Sequence, residues 1–153
     1  MKTFSKDEIT RRSFLRLARV MYEMWEEHEE HSLDTRLPDQ PLIKDELVIA
    51  GRSLALPDNF KNKDAHREHI VPRLVLIEES KNIFETTQDP DVSIFKASEF
   101  LREHTKIVFI SKDEMKRLDI GPGNLKQCMP EGWKVGDDIY QRLHIKDIKF
   151  QPL

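Results

Sequence analysis

His66, Glu68 and His69 fall within four positions of a chain that holds six histidines, and Arg67 and Arg73 flank them. An imidazole with a pKa near neutrality can take up and return a proton. A carboxylate beside it can orient the ring or hold a divalent cation. Guanidinium groups match phosphate oxygens two hydrogen bonds at a time. Together these residue types could bind a phosphate ester and move a proton against it. The same stretch also suits a partly exposed strand in which each ring finds a carboxylate or carbonyl partner. Both readings stand at this point.

Glu68-His69-Ile70-Val71-Pro72 resembles the first motif of the HNH (ββα-metal) nucleases, which often reads Asp-His-Ile-x-Pro. That resemblance implies a metal-dependent phosphodiesterase or nuclease acting on nucleic acid or a nucleotide. It makes Glu68 a ligand of a divalent metal ion and His69 the general base. Asn82 and His104 are the counterparts of the family's later Asn and His, His104 as a metal ligand and Asn82 in the catalytic group. His66 would support catalysis, and Arg67 and Arg73 would contact the substrate. The glycine-containing loop usual after the motif is absent here, and Pro72 leads towards a helix instead. The alternative is a non-enzymatic interaction or inhibitor protein of bacterial or phage accessory type, acting by protein–protein binding.

Other motifs point elsewhere. The two-histidine zinc-protease spacings are missing, because Glu68 lies between histidines only three apart. Ile120-Gly121-Pro122-Gly123-Asn124 lacks the Lys-Ser/Thr of a phosphate-binding loop and reads as a turn. Cys128 is the single cysteine, so no internal disulfide or multi-cysteine zinc site is open to the chain, and it is expected as a small buried apolar residue. Asp137 and Asp138 are spare carboxylates, and Trp133 is expected to anchor the core. Asp113, Glu114 and Asp119 read as capping residues and a solvated face.

The elements that must position these groups follow from pattern. Pro72 pushes the residue before it towards extended geometry and is accepted in the first turn of a helix. A strand over 68–71 is therefore expected to hand over to a helix at 73–85, with Leu74, Ile77, the Lys81 stem and Phe84 inward. On a strand, alternate residues share a face, so His66 and Glu68 point one way and Arg67 and His69 the other. A helix over 92–104 carries Ile94, Ala97 and Leu101 in one stripe with Phe95 beside it. Lys106-Ile107-Val108-Phe109-Ile110 is the clearest buried strand. Ser-Lys-Asp-Glu at 111–114 opens a short helix by capping-box chemistry. Asp137 to Ile145 reads as a last helical turn or two with Ile139, Tyr140 and Leu143 inward.

Upstream, the same Ser-Lys-Asp-Glu at 5–8 opens a helix over 6–30, with Ile9, Phe14, Leu17, Ala18, Met21, Met24 and Trp25 close to one face. A loop covers 34–46. Apolar runs at 47–50 and 53–56 around Gly51-Arg52 read as a short hairpin or two edge strands. The expected class is α+β: a long amino-terminal helix, a short hairpin and a small mixed sheet with three further helices. The expected division is an amino-terminal amphipathic helix over 1–33 and an α+β core domain over 34–153.

The first helix carries Arg11, Arg12, Arg16 and Arg19 in its first half and Glu23, Glu26, Glu27, Glu29 and Glu30 in its second. This order opposes the helix dipole. Either solvated charges with pairs such as Arg19 with Glu23 relieve it, or an antiparallel second copy does, in a homodimer. His28 and His31 read as surface residues. Net charge is −3, with 35% charged and 38% apolar residues, which disfavours global disorder and gives no general attraction to nucleic acid. The amino terminus turns polar at once, and no apolar run approaches the ~20 residues that span a bilayer. A cytoplasmic protein without membrane attachment is expected.

Overall fold

The computed structural model describes residues 1–27, 33–39, 41–120 and 125–153. Expectations for His28, His31, the last turn of the first helix and the turn over 121–124 lie outside these residues. The chain groups into two compact units, Met1–Val48 with Leu76–Thr105, and Ile49–Val75 with Lys106–Leu153. The amino-terminal helix thus shares a unit with a later segment of chain. The α+β class is as expected: among the described residues there are five α-helices and one four-stranded mixed sheet.

The first unit is helical. Its long helix α1 spans Lys6–Glu27 and opens with the expected capping box: Ser5 N–H donates to Glu8 Oε2 at 2.7 Å, and Glu8 N–H to Ser5 Oγ at 3.2 Å. The Ser5 amide holds the Glu8 carboxyl below its ordinary range. Phe14, Leu17, Ala18 and Met21 are buried, whereas Ile9 is exposed. Helix α2, Arg73–Thr86, runs from the second unit into the first. Its buried positions are Leu76, Ile77, Ser80 and Phe84, and Leu74 is exposed against expectation. A 76-80-84 stripe takes a serine into the core because Ser80 Oγ donates to the Leu76 carbonyl at 2.7 Å, satisfying the hydroxyl locally. Tyr22, Trp25 and Phe84 form an aromatic cluster with centroids 5.4–5.6 Å apart. Helix α3, Pro90–His104, starts at Pro90 behind Asp89, whose Oδ1 accepts from Val92 N–H at 3.0 Å. Ile94, Ala97 and Leu101 are buried, α3 packs along α1, and Phe95 is exposed.

The second unit holds the sheet, in order β2-β3-β1-β4, with β1 at Ile49–Ser53, β2 at His66–His69, β3 at Ile107–Ile110 and β4 at Phe150–Pro152. Strand β3 is buried along its whole length; it pairs antiparallel with β2 and parallel with β1. Strand β1 is flanked on its other side by antiparallel β4. Gly51-Arg52 is therefore not a turn between two short runs but the middle of one strand. Two contacts explain it, one distant in sequence and one close. A Cβ on Gly51 would lie 2.5 Å from the Gln151 carbonyl oxygen of β4, so the glycine permits close approach of the neighbouring backbone. Arg52 is buried and its guanidinium donates to the carbonyls of Leu56, Pro57 and Asp58 while lying 4.9 Å over the Phe60 ring. Those bonds wrap residues 54–60 around the arginine and leave no second strand there.

Helix α4, Lys112–Asp119, carries the second capping box, and helix α5 spans Gln141–Ile145. Ile70, Val108, Ile110, Leu118, Leu143 and Ile148 form the core of this unit, with Ile139 and Tyr140 packed against it as expected. Burial raises the Tyr140 phenol above its ordinary value. Glu114 caps α4 as expected, but it is buried and not on a solvated face, and its Oε1 accepts from Ser53 Oγ at 2.7 Å. Cys128 is exposed, not buried, since the segment around it is irregular. Trp133 is half-buried, and its indole N–H donates to the Asp138 carbonyl at 3.0 Å. Among the described residues no helix is long and apolar enough to cross a membrane.

Candidate functional site

Strand β2 lies at an edge of the sheet, in register His66 to Ile110, Arg67 to Phe109, Glu68 to Val108 and His69 to Ile107. One partner strand aligns it, and a cleft of about 180 Å³ lies beside it. His66, Arg67, Glu68, His69, Pro72, Arg73, Asp119 and Lys126 line that cleft. Five sequence candidates are thereby brought together. Asp119, from the end of α4, and Lys126 join them.

Strand alternation places His66 and Glu68 side by side, and their side chains meet, Nε2 to Oε2, at 2.8 Å. The other carboxylate oxygen, Oε1, accepts from Arg142 Nη1 at 3.0 Å. Arg142 comes from α5, and its side chain is 1% exposed, against 12% for Glu68 and 36% for His66. The same guanidinium donates to the carbonyls of His69 at 2.8 Å, of Ile70 at 3.2 Å and of Leu125, the last through both Nε and Nη2. A buried guanidinium thus holds a largely buried carboxylate, which holds an imidazole at the mouth of the cleft. With Glu68 accepting at Nε2, the neutral ring carries its proton there and presents Nδ1 as an acceptor.

Arg142 is the site residue that the sequence did not single out. One signal was present: it adjoins Leu143, expected inward, and α5 buries both. Asp119 and Lys126 carried no such signal, since only folding brings them to β2.

His69 is buried, so the ring expected as general base is less open to a substrate than His66. Asn82 and His104 belong to the helical unit and are not among the residues lining the cleft. Asn82 is exposed on α2, its amide 3.4 Å from Glu79 Oε1. His104 is buried at the end of α3, its Nδ1–H donating to the Phe100 carbonyl at 2.7 Å and its ring 4.4 Å from that of Phe100. The donors around Glu68 do not fit a metal shell, because both its oxygens are engaged by Arg142 and His66. Among the described residues no group of three or more His, Cys, Asp or Glu side chains is placed to hold a metal ion.

Three cations (Arg67, Arg73 and Lys126) and two carboxylates (Glu68 and Asp119) line the cleft, and Arg142 balances Glu68 from behind. By count the lining holds one more cation than carboxylate, although the chain as a whole is acidic. Comparison with protein-family models, with curated proteins and with solved structures returns no match.

Proposed function

We propose that the cleft beside β2 takes the phosphodiester of a nucleotide or nucleic acid and that His66 is the general base of its hydrolysis. The observation that carries this reading is the chain from Arg142 through Glu68 to His66, with contacts of 3.0 and 2.8 Å. In this reading His66 Nδ1 takes a proton from an attacking water, whose oxygen bonds to phosphorus as the ester P–O bond breaks and the leaving oxygen is protonated from solvent. Glu68 stabilises the imidazolium formed, and Arg142 keeps Glu68 from turning away. Arg67, Arg73 and Lys126 bias the cleft towards the phosphate oxygens. The roles expected for His69 and Glu68 pass to His66 as base and to Glu68 as the residue that positions it.

The test is hydrolysis of labelled single- and double-stranded DNA, RNA and bis(p-nitrophenyl) phosphate, with magnesium or manganese and with a chelator. Wild type and His66→Gln are compared after circular dichroism shows both folded. A loss of about 10²–10⁴-fold in the variant is expected for a lost general base. Activity that survives His66→Gln, or no hydrolysis in any condition, overturns the reading. A non-catalytic interaction protein is the second reading. It is favoured by Val92 and Phe95, 46% and 60% exposed and three positions apart on α3.

A further inference from the structure

Arg16, Arg19, Glu23 and Glu26 follow one another on α1 at spacings of three, four and three, so they form a single stripe, and all four are exposed. The opposite face of the helix, with Phe14, Leu17, Ala18 and Met21, is the one buried within its unit. Beside the basic half, Arg12, Leu15, Arg16 and Arg19 line a groove of about 290 Å³. Arg19 and Glu23 stand at the i,i+4 spacing suited to an ion pair, yet among the described residues neither they nor Glu26 make one. Arg16 reaches only the Ser13 hydroxyl, at 3.1 Å. The last turn of α1 holds no basic residue to offset the dipole. Asp7 and Glu8 in the first turn suit the dipole, so the end left without an offset is the acidic one, while the charges of the solvent-facing stripe find no ion pair among the described residues.

We propose that this stripe is an association surface for a second copy of the chain, with the two α1 helices antiparallel about a two-fold axis between Arg19 and Glu23. In that register Arg19 faces the partner's Glu23 and Arg16 faces the partner's Glu26, and symmetry doubles both pairs. A parallel arrangement sets arginine against arginine, so the charge order selects the antiparallel one. Each helix's acidic half then lies against the basic half of the other, which also opposes the two helix dipoles. The bonds are exposed ion pairs with Leu15 at their side, so the dimer is weak and sensitive to salt.

Sedimentation velocity of the full chain over a concentration series reads the association. At low ionic strength the mass is expected to rise with concentration towards twice the 18.1 kDa of one chain. It should fall back in about 1 M salt, where the screening length is about 3 Å. Arg16→Glu with Arg19→Glu makes the stripe wholly acidic, and Glu23→Arg with Glu26→Arg makes it wholly basic. Each double variant alone is expected to stay monomeric, and an equal mixture of the two to regain the doubled mass. A wild type that stays monomeric at low salt, or variants that associate as it does, overturns the proposal. A monomeric wild type retained on heparin, with retention lost in the acidic variant, also overturns it and gives the groove to a polyanion.

Discussion

Arg142 Nη1 lies 3.0 Å from Glu68 Oε1, a contact between residues 74 positions apart in sequence. The same nitrogen serves two backbone carbonyls of the β2 exit, and the rest of the guanidinium serves Leu125. One side chain therefore satisfies the acceptors of two irregular stretches as well as a carboxylate. Removing it strands all of them at once.

Arg142→Met keeps most of the side-chain volume but leaves the largely buried Glu68 carboxyl without its guanidinium partner, with only His66 on its other oxygen. A loss of about 3–5 kcal/mol is expected for breaking such a pair from one side. Adding Glu68→Leu should recover part of that loss, because no uncompensated charge remains. Urea unfolding of the three variants checks the order. A single variant as stable as wild type would remove Arg142 from its structural role.

Gly51 sits where β1 is sandwiched between β3 and β4, its Cα opposite Val108 on one side and Pro152 on the other. An added Cβ meets the Gln151 carbonyl oxygen at 2.5 Å, and backbone on that side has no rotamer to change. Gly51→Ala is expected to destabilise by about 1–3 kcal/mol, as other overpacking changes do. Hydrogen exchange should show protection lost first at Leu54, whose N–H donates to the Lys149 carbonyl at 2.9 Å. Unchanged protection there would mean that β4 shifts without strain.

What was legible in the sequence was whatever a local rule governs. The β-prone residues of β3, the proline just ahead of α2, the two capping boxes and the alternation that pairs His66 with Glu68 all depend on neighbours within a few positions, although the strand expected over 68–71 lies two positions earlier, at His66–His69. Arg142 and Gly51 do not. One is buried because of carbonyls about seventy positions upstream, the other is needed because of a carbonyl a hundred positions downstream. Arg52 looked like a turn residue for a different reason: its partners lie only four to six positions on, but the bonds exist only once the loop has closed over it. Leu74 and Leu76 differ by a helical rotation that pattern alone left open, and Ser80 settles it by bonding within its own helix.

The two Ser-Lys-Asp-Glu segments make an internal control, because identical sequence meets different burial. Glu8 is exposed and bonds only within its cap, whereas Glu114 is 4% exposed and its second oxygen also takes the hydroxyl of the fully buried Ser53. Ser5→Ala and Ser111→Ala should each cost about 1 kcal/mol, the ordinary effect of a lost cap. Glu114→Ala should cost more than Glu8→Ala by about 1–3 kcal/mol, since it also deprives a buried hydroxyl of its acceptor. Thermal melts of the four variants give the comparison. Equal losses for the two glutamates would show that Ser53 contributes nothing.

Glu99 and Arg102 on α3 form an i,i+3 pair at 2.7 Å, with Arg11 of α1 3.8 Å from the same carboxylate. The hydrogen bond from Arg102 is the main cause that holds the Glu99 carboxyl below its ordinary value of 4.5, partial burial works against it, and the charge of Arg11 assists. A carboxyl depressed in the folded state contributes stability that is fully present above the unfolded value and is lost as pH falls through the folded one. Both side chains keep contact with water, so the contribution is about 0.5 kcal/mol, the scale of a partly exposed pair. Glu99→Gln should therefore be less stable than wild type at pH 7, with the difference shrinking below pH about 4.5 and vanishing once wild-type Glu99 is itself protonated. Raising salt at pH 7 should shrink the difference as well, because the pair is screened. Denaturant melts at pH 7 and pH 3 test the sign: a gap that widens in acid would mean that Glu99 stabilises the helical unit through its protonated form.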